Sequence, residues 1–396
     1  MVTTSFLSDL IASISAIVVI SANLPSEIIT EIFSRLPVKS LMRFKCVSKS
    51  MYALVISHSF IKKHLRQAVL QNNPCLILKL ETHFSPKLFS VENDEWKLAK
   101  RLDLSFANVL EKIEPSGSSN GLVCISDHIR NEDIFLWNPS TRQQIKLPYP
   151  RFKIPTIETS CFTALGFGYL PAEDDYKVVR VVYLYDKPFV NIDSYQCEAQ
   201  VFSLSTNSWR KVRDVPFHIS SRSSVSLENG TLVWKASRGF GLRMTVLVIS
   251  FDLVTGEFEE IPQPDLDDDS YFELGVLGGY LCIFDQLRNE RAEVWSMQEF
   301  GVKASWKKLF VIGPPPINDG YFGTLKPLWV MKSREILIEK GGREMVLYDP
   351  ENGEFRDVRI RGCPRNFAAS TCVGSLVPPF AFINETAGAS TSQGNM

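Results

Sequence analysis

The residues that could perform covalent catalysis in this chain lie in Gly117-Ser118-Ser119-Asn120-Gly121, which matches the G-x-S-x-G pattern of a nucleophile elbow. In that motif a strand leads into the serine and a helix follows it. Here the residues that follow, 122–126, are apolar and have the composition of a strand. The order of elements is therefore the reverse of an elbow. A tight turn that enters a strand explains this sequence better than a nucleophilic Ser119.

Metal, nucleotide and calcium sites have equally little support. The eight cysteines lie at least nine residues apart and the five histidines are scattered, whereas zinc sites need clustered ligands. Gly166-Phe167-Gly168 lacks the third glycine of a dinucleotide-binding loop. The acidic stretch from Glu257 to Asp269 lacks the glycine and glutamate placement of a calcium loop, so we expect a solvated loop there. We therefore expect no cofactor and no metal, and cysteines that serve as small apolar residues in a reducing compartment.

Composition and charge are those of a globular protein without a strong electrostatic preference. The 396 residues, 45% of them hydrophobic, suffice for two domains or one large repetitive domain. The 43 basic and 44 acidic residues give a net charge of −1, so we expect neither nucleic acid nor a membrane as a partner.

Residues 1–22 form an extension whose central part, residues 10–20, is uncharged and largely apolar. A helix of this length rises about 16 Å, roughly half of a bilayer core, which excludes a membrane span. A signal peptide is the alternative, but no Lys or Arg precedes the apolar run and Asp9 is acidic. We expect a mobile extension.

Periodic apolar residues predict a small helical region over residues 23–65. Pro25 suits the first turn of a helix, and apolar residues then recur at every fourth position from Ile28 to Leu36. Pro37 ends this helix, and three further short helices follow. A segment this short buries its own apolar side chains poorly. Each Leu or Ile that stays uncovered would gain about 1.5–3 kcal/mol from burial. These helices therefore either cap the next domain or dock another protein.

The same region resembles the F-box of plant F-box proteins. The residues that carry the resemblance are Leu24-Pro25, Glu27-Ile28, Ile32, Arg35-Leu36-Pro37-Val38-Lys39-Ser40-Leu41 and Arg43-Phe44-Lys45-Cys46-Val47-Ser48-Lys49. Met51 departs from the pattern, because the family commonly has Trp at this position, and it predicts looser helix packing.

This resemblance implies that the region binds a SKP-type adaptor, which joins it to the cullin and RING subunits of an SCF ubiquitin ligase. The positions that match the adaptor-contacting face of the family are Leu24, Pro25, Ile28, Ile32, Leu36, Pro37, Leu41 and Val47. Independently, residues 23–66 hold eight Lys or Arg and two Glu, a net charge of +6. Such a charge suits an acidic partner, although solvated helix faces would have the same composition.

A second pattern occurs six times between residues 75 and 376. In each copy an aromatic residue ends one strand, a polar turn follows, and an apolar residue begins the next strand. The paired residues are Phe89/Trp96, Trp137/Ile145, Phe202/Trp209, Phe251/Phe258, Trp295/Trp306 and Tyr348/Phe355. The copies recur about every 52 residues, near the kelch period. The pattern predicts a β-propeller of six blades, or of seven if the 65-residue interval after Trp137 holds another; a β-sandwich with similar hairpins is the alternative.

The predicted fold class is therefore α+β, a small N-terminal three-helix F-box followed by an all-β, propeller-like domain. Residues 367–377 could pair back onto the first blade and close the ring. The β-region also resembles the F-box associated, kelch-like interaction domain of the same plant family, including its defence-regulating and S-locus members. The matching segments are 117–126, 137–148, 164–169, 174–181 and 201–212. We divide the chain into an extension (1–22), an F-box (23–65), a kelch-like propeller (66–377) and a disordered tail (378–396).

Together the resemblances imply a non-catalytic substrate receptor in the cytoplasm, the nucleus or both. The helices would hold the adaptor, and the propeller would present a target protein, which raises the effective concentration of its lysines near the ubiquitin carrier. We expect blade-end loops at 150–160, 186–196, 265–272 and 313–323 to contact the target, because loops vary without loss to the scaffold. A propeller hydrolase is the alternative, but it would need histidines and carboxylates that converge on the axis. A scaffold without adaptor binding is a third hypothesis.

Overall fold

The computed structural model describes most of the chain between Leu24 and Phe380. The described ranges are 24–72, 74–80, 87–91, 96–102, 104, 113–127, 133–150, 160–185, 195–213, 215–221, 224–239, 244–266, 271–287, 291–313 and 324–380. The predicted extension, residues 1–22, lies outside the described residues, as does the chain after Phe380.

The N-terminal region contains four helices, which confirms the predicted order. They are α1 (Ser26–Ser34), α2 (Val38–Phe44), α3 (Lys49–Ile56) and α4 (His58–Leu70). Pro25 and Pro37 directly precede α1 and α2, where the N–H that proline lacks would have no helical partner. Ser48 and Ser57 cap the other two helices, since their hydroxyls accept from backbone N–H groups three residues later, at 3.2 and 3.4 Å.

The rest of the described chain forms six antiparallel sheets, the blades of a propeller. Blade 1 contains β1 (Pro74–Leu80), β2 (Leu88–Val91), β3 (Ala99–Arg101) and β25 (Phe367–Val373), and blade 2 contains β4 (Ile113–Ser119), β5 (Leu122–Asp127), β6 (Ile134–Trp137) and β7 (Gln144–Lys146). Blade 3 contains β8 (Ser160–Leu170), β9 (Asp175–Tyr185), β10 (Tyr195–Ser203) and β11 (Ser208–Lys211), and blade 4 contains β12 (His218–Ile219), β13 (Val225–Ser226), β14 (Thr231–Arg238), β15 (Thr245–Asp252) and β16 (Phe258–Ile261). Blade 5 contains β17 (Tyr271–Leu277), β18 (Tyr280–Leu287), β19 (Arg291–Met297) and β20 (Trp306–Ile312), and blade 6 contains β21 (Leu325–Val330), β22 (Ile336–Lys340), β23 (Glu344–Asp349) and β24 (Glu354–Asp357).

The innermost strands of successive blades contact one another around a closed ring, which confirms the propeller and contradicts the β-sandwich. The described strands account for six blades and not seven. The long interval after Trp137 reflects long strands instead of an extra blade, because β8 and β9 have 11 residues each.

The last strand closes the ring, as predicted. β25 pairs with β1 over seven residues and is the innermost strand of blade 1, so the two ends of the propeller meet in one sheet. The packed chain extends further than the predicted boundary, because Pro378 and Pro379 are buried together with Leu376 and Val377. The predicted start of a disordered tail at residue 378 is therefore wrong by at least two residues.

The six repeated pairs mark the hairpins between the third and fourth strands of the blades. In three blades, the two partners face each other directly across the hairpin. These are Phe202 with Trp209, Phe251 with Phe258 and Tyr348 with Phe355, with ring centroids 5.3, 4.5 and 5.0 Å apart. A separation of seven residues therefore places two rings on the same side of the hairpin. The acidic stretch that we expected to be a loop contains one of these outer strands, β16.

Polar side chains of the second strands join neighbouring blades at five of the six junctions in the described chain. Each one reaches the innermost strand of the next blade, or the residue beside it. The contacts are Lys79 Nζ to Glu114 Oε2 (2.7 Å), Tyr183 Oη to Phe217 O (2.8 Å), Lys235 Nζ to Phe272 O (2.9 Å), Gln286 Nε2 to Leu325 O (3.0 Å) and Ala369 N to Glu339 Oε2 (2.7 Å). The polar groups that take part in these five contacts are thereby satisfied.

Replacing Glu339 with alanine is expected to destabilise the ring at its closing junction. The substitution removes the acceptor of the Ala369 N–H, and a buried donor without an acceptor costs about 1–3 kcal/mol. Urea denaturation measures the loss of unfolding free energy. Glu344→Ala is the control in the same blade, because the Glu344 side chain is 60% exposed and should change stability by less than about 0.5 kcal/mol. Equal effects of the two substitutions would contradict this role of Glu339.

Candidate functional site

An exposed apolar ridge runs along the first helix. It consists of Leu24, Pro25, Ile28 and Ile32, and we call it the apolar ridge. Ile28 and Ile32 are each 47% exposed, Pro25 is exposed and Leu24 is half-buried. The spacing of four residues aligns the two isoleucines on one side of α1. Large apolar side chains exposed in such a row on a short helix indicate a surface for another protein.

The remaining predicted contact residues divide between surface and core. Pro37 is exposed, while Leu36 and Val47 are half-buried near the helix ends. Leu41 is fully buried, so its assignment to a contact face is wrong. It belongs instead to the apolar core beneath the helices. Seven of the eight predicted residues keep some exposed surface.

The inner side of the helices packs into the propeller. Phe33, Val38, Met51 and Phe60 are buried in one core that continues into blades 2 and 3 and includes Phe167. Met51 therefore fills this core and does not face the ridge. Because the ring covers only this inner side, the apolar ridge stays open to solvent.

The helices are also fixed to the ring by polar contacts. Asp174, in the turn between β8 and β9, accepts from Lys62 Nζ at 2.7 Å, from His58 Nε2 at 3.1 Å and from the Tyr169 hydroxyl. Burial opposes ionisation of Asp174, but the bonds from Lys62 and Tyr169 and the charges of Lys62 and His58 hold the pKa of its carboxyl below the ordinary value. The carboxylate thus remains charged near neutral pH and links α4 to blade 3.

The chain after β25 passes between the helices and blade 2. Asn138 Nδ2 donates to the carbonyls of Ser375 and Val377 at 3.0 and 2.8 Å, and Leu376 and Val377 enter the core of the helices. Gly121 lies against the same segment, since a Cβ there would come within 2.4 Å of the Val373 carbonyl oxygen. The C-terminal segment therefore connects the ring closure to the helices.

His64 supports the corner between the first two helices. Its Nε2 lies 3.0 Å from the Leu36 carbonyl oxygen and donates to it, because a carbonyl can only accept. Burial lowers the pKa of His64, although the bond to Leu36 opposes the shift. No described residue hydrogen-bonds to Nδ1, so a proton on this atom would be buried without a partner. His64 therefore holds the corner in its neutral form.

A fall in pH is expected to loosen this corner. The pKa of His64 is lower in the folded chain than the ordinary histidine value of about 6.5. His64 therefore stabilises the fold when the pH is above about 6.5, and this contribution is lost as the pH falls below about 6.5. Hydrogen exchange of residues 35–41 should therefore be faster at pH 5.5 than at pH 7.5, after correction for the intrinsic rate. His64→Gln keeps a donor and does not titrate, so its exchange should vary less with pH. Equal pH dependence in both proteins would contradict this function of His64.

Charge on the helices is distributed so that the basic excess faces solvent. The Glu31 carboxylate forms ion pairs with Arg35 and Lys63, each with an N···O distance of 2.7 Å. Arg43 and Lys49 are exposed. An acidic partner surface that covers these helices would therefore meet positive charge.

The serine motif has the structure of a turn. Gly117, Ser118 and Ser119 end strand β4, Asn120-Gly121 is a tight turn with positive φ at both residues, and β5 follows. Ser118 donates to the Thr371 carbonyl across to blade 1 at 2.9 Å. The motif therefore contributes to ring closure, and the strand–turn–strand order is incompatible with a nucleophile elbow.

The face of the ring opposite the helices carries the longer loops between strands. The turns from first to second strands, such as Asn120-Gly121 and Gly278-Gly279, lie on the side of the helices, because Asp174 in the equivalent turn contacts α4. The predicted target loops join strand ends on the other side of the ring. Most of their residues (151–159, 186–194, 267–270 and 314–323) lie outside the described residues.

An aromatic cluster lies at the strand ends that flank one of these loops. It consists of Phe162, Tyr183, Tyr185, Tyr195 and His218, between blades 3 and 4. Tyr185 Oη lies 2.6 Å from His218 Nε2, and Tyr183 is fully buried. The sequence interpretation missed this cluster, although Tyr185 directly precedes the predicted loop at 186–196 and Tyr195 lies within it. The cluster therefore forms a packed aromatic layer beneath the face of the ring opposite the helices.

Comparison with known proteins agrees with both parts of the fold. The family model of the F-box domain matches residues 22–63, and that of the F-box associated beta propeller domain matches residues 70–380. The F-box protein CPR1 of Arabidopsis thaliana is 32% identical over 377 residues, which cover 90% of this chain and 89% of that protein. An F-box/kelch-repeat protein of the same plant is 31% identical over 360 residues, which cover 86% of this chain and 92% of the relative.

Solved structures resemble this chain only weakly. Dipeptidyl peptidase 4 of Porphyromonas gingivalis superposes with a TM-score of 0.37 and 11% identity, over 72% of this chain and 44% of that chain. This likeness is too low to carry a functional argument.

Among the described residues, no helix has both the length and the hydropathy that a membrane span requires.

Proposed function

We propose, because this chain belongs to the F-box proteins that carry an F-box associated β-propeller domain, that it is the substrate-recognition subunit of an SCF (SKP–cullin–F-box) ubiquitin ligase. Its helices bind a SKP-type adaptor, and its propeller binds a target protein for ubiquitination and proteasomal degradation. The chain itself is non-catalytic. It brings target lysines close to the ubiquitin carrier, which raises their effective concentration.

One observation carries this proposal: the apolar ridge on the first helix is exposed, while the inner side of the helices is buried against the ring. Ile28 and Ile32 would each gain about 1.5–3 kcal/mol if a partner covered them completely. The exposed basic residues Arg43 and Lys49 on the second and third helices favour a partner with acidic groups. Leu41 is omitted from the proposed face, which then comprises the other seven predicted residues.

The geometry gives the receptor two separate working faces. The helices cover the side of the ring over blades 2 and 3, and the aromatic cluster with its neighbouring loops lies on the opposite side. A target on that side would not compete with the adaptor for surface. Because Asp174, Asn138 and the shared core fix the helices to the ring, a bound target would be held at a defined position relative to the adaptor.

Reconstitution and proximity labelling test the proposal. The chain, co-expressed with a SKP-type adaptor, cullin and RING subunit, should elute with all three as one complex. In plant cells with proteasomal degradation blocked, a biotin-ligase fusion should label the adaptor and cullin together with targets. A labelled set without adaptor or cullin would contradict the proposal. We further propose action in the cytoplasm, the nucleus or both; the role in defence or self-incompatibility that the sequence resemblance implies stays a prediction.

A further inference from the structure

Two cysteines face each other where the ring closes. Cys75 on β1 lies directly opposite Cys372 on β25, the strand that completes blade 1. In the described strands, no other cysteine lies opposite a second cysteine. We propose that this pair, which we call the closure thiols, is a redox modification site at which a peroxide converts the two thiols into a disulfide. The disulfide locks the propeller in its closed form. This inference rests on the fold and is independent of the proposed function.

The strand register gives the closure thiols the geometry that a disulfide requires. Residues directly opposite in an antiparallel pair have Cα atoms about 4.5–5.5 Å apart, and disulfides join Cα atoms about 4.4–6.8 Å apart. Opposed side chains project from the same face of the sheet, and both cysteines pack in one apolar cluster between blades 1 and 2, together with Ile77. The two thiols are also hydrogen-bonded to each other. A disulfide between them therefore needs no rearrangement of either strand.

The two thiols differ in exposure and therefore in reactivity. Cys75 is half-buried, whereas Cys372 is only 3% exposed. The hydrogen bond with Cys75 and burial raise the pKa of the Cys372 thiol well above its ordinary value, so this thiol stays protonated near neutral pH. Oxidation of cysteine follows exposure and thiolate character. Cys75 is therefore the sulfur that the oxidant reaches first, and Cys372 is the sulfur that reacts with the oxidised Cys75.

The reaction proceeds in two steps, with hydrogen peroxide as the simplest oxidant. The Cys75 sulfur attacks one peroxide oxygen, an S–O bond forms, the O–O bond breaks, and a sulfenic acid and one water result. The Cys372 sulfur then attacks the Cys75 sulfur, so that the S–S bond forms, the S–O bond breaks, and the hydroxide leaves with the Cys372 proton as a second water. The two sulfurs together lose two electrons, and one peroxide is reduced to two waters. Because the thiols are already in contact, the second step is intramolecular and fast.

The disulfide joins the two ends of the propeller covalently. β25 reaches blade 1 after the chain has passed through the other five blades, so backbone pairing and packing hold it there, and no hairpin connects it to β1. The ring can therefore open between these two strands. A covalent bond across them blocks this opening, and it also restricts the unfolded chain, most strongly when the closed loop is as long as that from Cys75 to Cys372.

Disulfide mapping of the purified full-length chain tests this inference. The protein is treated with hydrogen peroxide, its remaining thiols are alkylated, and it is digested with trypsin without reduction. We expect one main disulfide, which joins peptide 67–79 to peptide 366–396, since each of these peptides contains one closure thiol and no other cysteine. The melting temperature should rise by about 5 °C or more, and dithiothreitol should reverse the rise.

Three controls show that proximity in the folded chain selects this pair. Cys46→Ser removes the exposed cysteine and should leave the disulfide and the rise in melting temperature unchanged. Cys75→Ser should show neither. In Cys372→Ala the oxidised Cys75 has no neighbouring thiol, so it should proceed to sulfinic acid. The wild type unfolded in concentrated urea should give mixed pairings under the same treatment.

Each of three results on the folded wild type would overturn the inference. The first is sulfinic acid on Cys75 in place of a disulfide, and the second is a main disulfide that joins other cysteines. The third is a disulfide between Cys75 and Cys372 that leaves the melting temperature unchanged, because closure of the ring would then not depend on it.

Discussion

Replacing Leu24 and Pro25 together with alanine is expected to abolish co-purification of a SKP-type adaptor while the propeller stays folded. Both residues lie at the start of the apolar ridge, and neither belongs to the core that the helices share with blades 2 and 3. Truncation of anchor residues that an interface buries lowers affinity on the order of a hundredfold, or about 2.7 kcal/mol. Pull-down and calorimetric titration with purified adaptor measure the loss, and the thermal melting profile reports on the fold.

Two further variants make this result interpretable. Leu70→Ala changes the most exposed large apolar residue of the helices, which lies outside the proposed face, and should bind the adaptor like the wild type. Leu41→Ala should also weaken binding, but through unfolding, because truncation of a buried leucine costs about 2–5 kcal/mol. If the Leu24/Pro25 variant retained full binding and a normal melting profile, the assigned face would be wrong.

A chain that ends at Asn366 is expected to lose its cooperative unfolding transition. The truncation removes β25, and with it the innermost strand of blade 1 and the apolar residues Phe367, Leu376 and Val377. Each of these side chains contributes about 1.5–3 kcal/mol by burial, and the total stability of a domain is only about 5–15 kcal/mol. Circular dichroism and urea denaturation would show the loss.

A chain that ends at Phe380 provides the control for this truncation. It keeps β25 and the segment bound by Asn138, so its stability should equal that of the full chain within about 0.5 kcal/mol. A stable, cooperatively folded protein ending at Asn366 would show that the ring does not depend on closure by its last strand.

The sequence predicted those features whose signal lies within a few neighbouring residues. Helix α1 could be predicted because Ile28 and Ile32 recur with helical spacing after Pro25. The hairpins could be predicted because partners such as Phe251 and Phe258 face each other across one turn. Leu41 was assigned to the wrong surface because α2 has only seven residues, and so short a helix does not reveal which apolar side faces the core.

Features that depend on distant residues could not be predicted in this way. The hydrogen bond from Ala369 N to Glu339 joins two blades, and the bonds from Asn138 to the C-terminal segment span more than 230 residues. The number of blades was ambiguous because the repeat spacing varies with strand length, as in β8 and β9.

Site-specific crosslinking tests the central claim most directly. A photoreactive p-benzoylphenylalanine replaces Ile32 on the apolar ridge in one protein and Leu70 at the end of α4 in another, and each is irradiated with purified SKP-type adaptor. The account predicts a crosslinked adaptor from position 32 and none from position 70, since only the first lies on the proposed face. Crosslinks from neither position, or from position 70 alone, in a folded protein would contradict it.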